Sequence, residues 1–149
     1  MRTFHHSFVV DAPIDKIWNF YTDLHHLQVI TPKRLDLQLI ESSSDRIAVG
    51  QTASFSSKLL TRVTWKTRIT ACKPYTYVDE MSNHALFKHW RHTHVFHKIN
   101  ENQTKIEDDV EFELRYGFVG KMFEWYAQDK LNQIFAHRQQ ATIKALSNT

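Results

Sequence analysis

The stretch F-K-H-W-R-H-T-H-V-F-H-K, residues 87–98, alternates residue by residue and predicts one long β-strand. Successive side chains of a strand point to opposite faces, so Trp90, His92, His94 and Phe96 share one face, with Lys88 and Lys98 at its ends. Phe87, His89, Arg91, Thr93, Val95 and His97 share the other. On the concave side of a sheet the aromatic and imidazole row would line a pocket. On the convex side it would be a wet ladder.

Downstream, Asn100 to Gln103 predicts a polar hairpin loop, and Thr104 to Tyr116 a strand with the clearest alternation in the chain. Ile106, Asp108, Val110, Phe112 and Leu114 form its apolar row, in which Asp108 is the one acid. Gly117 to Gly120 then leads into a helix to about Leu146, with an inner stripe of Phe123, Ala127, Leu131, Ile134, Phe135, Arg138, Ala141 and Ala145. At 1.5 Å per residue it would be roughly 40 Å long.

Upstream, Arg2 to Val10 predicts the first strand, with Asp11 capping a helix that Pro13 begins and that carries Ile14, Ile17, Trp18 and Tyr21. A second short helix spans Asp23 to Ile30, closed by Thr31-Pro32. The period then changes to two. Strands are expected at Arg34 to Glu41, Gln51 to Leu60, Val63 to Cys72 (Val63, Trp65, Thr67, Ile69 and Ala71 on one face) and Tyr75 to Met81. The second and third of these form a hairpin through Thr61-Arg62. The order of elements is an α+β pattern of hairpin-linked antiparallel strands with helices on one side.

Composition narrows the class. A chain of 149 residues, 42% hydrophobic, 13% aromatic and 23% charged, predicts one globular domain over residues 1–149. No window approaches the roughly 18 apolar residues needed to span a bilayer, and the start M-R-T-F-H-H lacks the apolar core of a secretion signal. A cytoplasmic protein without membrane insertion is expected. The formal charge of +3 is scattered rather than gathered into a stripe, so no nucleic-acid partner is expected. Cys72 has no second thiol to pair with and is expected as a buried, inert group. Among ten histidines, His5-His6 and His25-His26 are expected as surface pairs. Three glycines make no phosphate loop, and no Ser or Cys elbow stands beside a base.

Four patterns carry a family resemblance: V-V-D-A-P-I-D-K-I-W-N-F-Y-T-D at the front, F-K-H-W-R-H-T-H-V-F in the long strand, T-K-I-E-D-D-V-E-F-E-L-R-Y-G-F-V-G after it, and L-N-Q-I-F-A-H-R near the end. In these the chain resembles the SRPBCC, or START-like, superfamily over essentially its whole length, and most of all its small bacterial stand-alone ligand-binding or polyketide-cyclase-like branch. The resemblance implies the helix-grip fold, a curved sheet of about seven antiparallel strands wrapped around the long C-terminal helix, with two short helices after the first strand. It also implies a cavity between sheet and helix. Tyr116 departs from the pattern, since many relatives carry Pro before the glycine, which leaves the shape of the pocket rim open there.

If the strand bearing Asp108 is the hairpin partner of residues 87–98, His94 falls near Asp108 or Phe112, and His92, His94 and Asp108 face one cavity. A carboxylate facing an imidazole in a partly dry pocket fixes its tautomer and suits it to proton transfer, to ligand orientation, or to a purely structural hydrogen bond. The same residues are a conceivable His-x-His plus carboxylate metal set, but His-x-His arises freely among ten histidines, and no metal or other cofactor is expected. Trp90, Trp65, Phe55, Phe112 and Phe123 are candidate apolar lining, and Arg138 a partner for an acidic ligand group or for Asp108.

The leading expectation is a module binding a hydrophobic or aromatic small molecule, as monomer or homodimer. The runner-up is a cyclase- or dehydratase-like enzyme moving a proton with His92 or His94 while Asp108 holds it. The third is an interaction protein with a filled interior.

Overall fold

A computed structural model describes residues 1–59 and 61–147. Seven strands, β1 (Arg2–Val10), β2 (Gln38–Ser42), β3 (Thr52–Lys58), β4 (Arg62–Lys73), β5 (Thr76–Ser82), β6 (Phe87–Asn100) and β7 (Gln103–Leu114), form one antiparallel sheet in the order β1-β7-β6-β5-β4-β3-β2. Helix α1 (Ile14–Tyr21) and two 3-10 turns, Leu24–Gln28 and Lys33–Leu35, link β1 to β2. The chain ends in α2 (Gly117–Met122) and α3 (Glu124–Leu146). This is the α+β helix-grip arrangement. β6 and β7 pair with Phe96 opposite Ile106 and His94 opposite Asp108, one of the registers that the loop length allows.

Tertiary context overrides several local expectations. Asp11 does not cap α1, because the Pro13 carbonyl takes the Lys16 and Ile17 amides at 3.1 and 3.2 Å, while Asp11 accepts from Gln103 Nε2 at 2.9 Å. Residues 34–41 are not one strand. Lys33–Leu35 is a 3-10 turn, and Asp36 turns left-handed (φ 43) with its carboxylate paired to Arg62 and its Oδ2 accepting from Gln38. Leu60, the last residue expected in the third strand, lies outside the described residues.

Bulges re-aim four side chains. A bulge between Ile69 and Ala71 turns Ala71 out and brings Cys72, half-buried, against the core. Burial pushes the Cys72 thiol pKa up, which keeps it protonated. A second bulge between Phe87 and His89 sends Lys88 out to Glu113 and turns Phe87 inward beside Trp90, with ring centroids 5.0 Å apart. Neither histidine pair is wholly at the surface. His6 is half-buried and bonded to Gln139 at 2.9 Å, and His26 stacks on Phe20 at 4.2 Å.

The C-terminal helix is broken at Phe123, so α3 has 23 residues, about 35 Å. Phe123 is half-exposed, and Ala145 faces solvent while Thr142 and Leu146 are buried in its place. The break follows from how α2 is seated. Tyr116 adopts a left-handed conformation (φ 73) that proline, locked near −65°, cannot reach, which accounts for its absence here. Gly120 then lies against the β7 end, where a methyl group would sit 1.9 Å from the Arg115 carbonyl oxygen. Gly120→Ala is therefore expected to lower stability by roughly 1–3 kcal/mol through displacement of α2. Thermal unfolding followed by circular dichroism checks this, and an unchanged midpoint would mean that α2 is not held there.

Three apolar clusters frame the interior. Phe8, Ile17, Tyr21, Phe96 and Leu146 pack between α1 and the end of α3; Phe4, Val110, Phe112, Leu131 and Phe135 pack where α3 crosses β1 and β7; Leu24, Ala53 and Phe55 pack under the first 3-10 turn. Among the described residues no helix is long and apolar enough to cross a membrane.

Candidate functional site

Leu27 and Ile47 join the first and third of these clusters, and the three together surround open space. They border a cavity of about 960 Å³, within the range of small-molecule sites, between α3 and the concave face of the sheet. Trp65, Phe55, Trp90, Phe123, Leu131 and Ile134 are among its apolar lining. The interior is thus not filled by side chains. Trp90, His92 and His94 line the wall, as do Phe123 at the helix break and Arg138 on α3. Asp108 and Phe112, 2% and 0% exposed, stand behind the wall rather than in it.

Set into the wall is a column of stacked rings. The Tyr77 ring lies 4.0 Å from that of His94 (15°), His94 lies 3.6 Å from His92 (25°), and Trp90 meets His92 edge-on at 6.3 Å. Their sequence cause is the period of two on β6, which places Trp90, His92 and His94 one above the other on the concave face. Opposite them in register stand Asp79 and Val110 for His92, and Tyr77 and Asp108 for His94.

Hydrogen bonds in the column run diagonally. His92 Nε2–H donates to Asp108 Oδ1 on β7 at 2.8 Å, and His94 Nε2–H donates to Asp79 Oδ2 on β5 at 2.6 Å. Both carboxylates are ionised and only accept. Burial is the largest influence on Asp108 and pushes its pKa up, but the His92 hydrogen bond and the charges of His92, Arg138 and His94 outweigh it and hold the carboxyl well below its ordinary range. Asp79 is held down in the same way, with burial opposed by the His94 bond and the neighbouring cationic groups.

His94 moves the other way, to a pKa of about 4, first because burial disfavours the imidazolium and next because His92 lies beside it. It is therefore neutral at neutral pH, with its proton on Nε2. The bare Nδ1 is buried without a hydrogen-bond partner, 3.5 Å from Asp108 Oδ1. Around the column, Arg138 lies over the Phe135 and Tyr21 rings at 5.0 and 5.9 Å, and Tyr21 hydroxyl bonds Thr142 at 2.6 Å. Burial pushes Tyr21 up to about 12 and Tyr77 well above its ordinary value, so both phenols stay protonated.

Asp79, His92 and His94 place one donor atom each within 4.8 Å of one another, a set that differs from the expected one by Asp79 in place of Asp108. Stacked imidazoles project their in-plane lone pairs side by side instead of converging, and the Nε2 atoms are committed to the two carboxylates. The arrangement suits hydrogen bonding better than coordination. Asp79 was not anticipated from sequence. Its signal was present in Tyr77-Val78-Asp79-Glu80-Met81, where Asp79 occupies the row of Tyr77 and Met81 just as Asp108 interrupts the apolar row of β7.

Comparison with known proteins agrees with this fold. The family described as polyketide cyclase/dehydrase and lipid transport matches residues 10–137. No curated protein matches the sequence. A START superfamily protein from Mycobacterium smegmatis is similar in structure with TM-score 0.76 and 10% identity, over 97% of this chain and 96% of that one. The Zhui aromatase/cyclase from a Streptomyces species gives TM-score 0.69 and 16% identity over 97% and 90%. Norcoclaurine synthase from Thalictrum flavum, solved in complex with dopamine and hydroxybenzaldehyde, gives 0.69 and 17% over 99% and 89%. At these identities the likeness is one of fold.

Proposed function

Since this chain belongs to the polyketide cyclase/dehydrase and lipid-transport family, we propose that it binds a hydrophobic or aromatic small molecule in the cavity between α3 and the sheet, with one polar group of the ligand held at the histidine column. The observation that carries the reading is the contrast within the cavity: an apolar hollow of about 960 Å³ with a single ring column of paired imidazoles set into its wall. An apolar body fills the hollow and gains by leaving water, at about 25 cal/mol per Å² buried. Asp79, whose side chain is 18% exposed and lines the cavity, accepts a hydrogen from a ligand hydroxyl or amine, and Arg138 donates to a carbonyl or acidic oxygen. Asp108 acts behind the wall by fixing the orientation of His92.

Filling the hollow tests this. Ile134 lines the cavity from α3 and is half-buried, so Ile134→Trp places an indole where the ligand would lie. Titration with anilinonaphthalene sulfonate and with naphthols should raise the melting temperature of the unsubstituted protein, by an amount set by ligand excess over Kd. Ile134→Trp is expected to weaken binding at least tenfold while melting within a few degrees of the parent. Equal affinity in the two proteins would remove the cavity as the site.

A second reading is favoured by His94 being neutral at neutral pH with its N–H held by Asp79: the pair would move a proton on a polyketide-like substrate, as a cyclase or dehydratase does. Turnover with a bell-shaped pH profile, abolished by His94→Ala, separates it from pure binding.

A further inference from the structure

Exposed large apolar residues are concentrated at one place in the fold. Tyr116, Phe118, Val119, Met122, Phe123, Trp125 and Tyr126 are each about half exposed or more, and run from the residue before α2, through the break at Phe123, to the first turn of α3. Soluble surfaces scatter such residues singly, and a contiguous run marks a contact surface. Leu59, beside the β3–β4 turn, and Leu86, between β5 and β6, are exposed as well, at the same end of the sheet.

The run is continuous with the cavity. Tyr116, Val119, Phe123 and Tyr126 line the hollow while remaining exposed outside, and Leu59 and Leu86 do the same from the strand ends. Charge on this rim is mainly basic, with Asp129 the exposed acid next along α3. Between residues 115 and 126 the exposed charged groups are Arg115 and Lys121, while the single acid, Glu124, is buried. Lys130 lies over the Tyr126 ring at 5.2 Å, and Lys58 lines the cavity at the end of β3.

We propose that this rim docks on the surface of an anionic lipid bilayer, the α2 aromatics entering the headgroup region and the lysines meeting lipid phosphates, so that the cavity opens directly onto the membrane. Aromatic rings with flanking Lys and Arg are the composition favoured at a membrane interface, and a short amphipathic helix binds there by apolar burial plus attraction to anionic lipid. A second copy of the chain fits less well, because a two-fold contact on this rim would bring two mainly basic surfaces together. The docking deepens the binding reading, since an apolar ligand would pass between bilayer and cavity without crossing water.

Vesicle co-sedimentation tests it, with the full chain and vesicles of phosphatidylcholine alone or with one third phosphatidylglycerol. Phe118 and Met122 are exposed and do not line the cavity, so Phe118→Asp/Met122→Asp leaves the hollow intact. The expected result is sedimentation with the anionic vesicles, weakened at least tenfold by raised salt or by the double substitution, with melting temperature and anilinonaphthalene sulfonate binding unchanged. No sedimentation with anionic vesicles overturns the proposal. So does a concentration-dependent dimer that the double substitution dissociates, which would assign the rim to a second copy. Probe binding is measured without vesicles, so failure of docking and failure of cavity binding are read separately.

Discussion

Asp108→Ala is expected to cost about 3–5 kcal/mol of folding stability, close to the loss found when one partner of a buried charged pair is removed. Asp108 is 2% exposed and accepts the His92 Nε2–H at 2.8 Å, so truncation strands a buried donor and removes the acid that acts most strongly on Arg138. Asp108→Asn keeps an acceptor oxygen but not the charge, and is expected to lose about half as much. The double substitution His92→Leu/Asp108→Leu removes both polar groups together and should recover much of the loss, because a packed apolar pair avoids the desolvation cost. Urea unfolding of the four proteins checks the series. A loss below about 1 kcal/mol in Asp108→Ala would show that the diagonal bond does not hold the wall.

Acid is expected to destabilise the protein in two stages. His94 and His84 each sit at about 4 in the folded chain, His84 because of burial and then the Arg115 charge, against an ordinary 6.5. Between those values the unfolded chain binds protons that the folded chain does not, so stability is full above about pH 6.5 and falls as pH drops toward 4. At about 1.36 kcal/mol per pH unit the interval amounts to about 3 kcal/mol for His94, and to less for His84, which borders the open cavity and is partly screened by solvent. The carboxylates act lower down. Asp79 and Asp108 are held below 3.8 when folded, so their contribution is present above about pH 4 and is lost as pH falls through their folded values. Urea midpoints at pH 7.5, 5.5 and 4.5 should therefore fall steadily, and less steeply in His94→Gln. A flat response over that range would mean that neither imidazole is held neutral.

Much of the architecture was legible because the pattern of two in β1, β3, β6 and β7 is long and regular, and because the alternation of β7 marked Asp108 as an inward acid. What escaped was what tertiary contacts decide. Nothing local says that a bulge at Lys88 turns Phe87 inward, or that the Pro13 carbonyl displaces Asp11 as the cap of α1. The column was only partly readable. Period alone put His92 and His94 on one face, and the hairpin put Asp108 across from them, but the bond to His94 comes from Asp79 on the other flank, whose pairing with β6 depends on a connection of four residues, 83–86, that fixes no register by itself. The break at Phe123 was hidden for a related reason: helical periodicity continues through it, and only the seat of Gly120 on the β7 end stops it.

The diagonal bonding of the column also bears on how the longest hairpin finds its alignment. Each carboxylate reaches past the residue facing it, so β5 and β7 are fastened to β6 from both sides at neighbouring steps. Sliding β6 by one residue would turn both imidazoles to the convex side and leave two carboxylates in the interior with no donor, while sliding it by two would set Trp90 or Phe96 against one of them. Every misaligned pairing is thus penalised by a buried charge. With or without a bound molecule, the four polar side chains act as a key that admits a single threading of the middle strand.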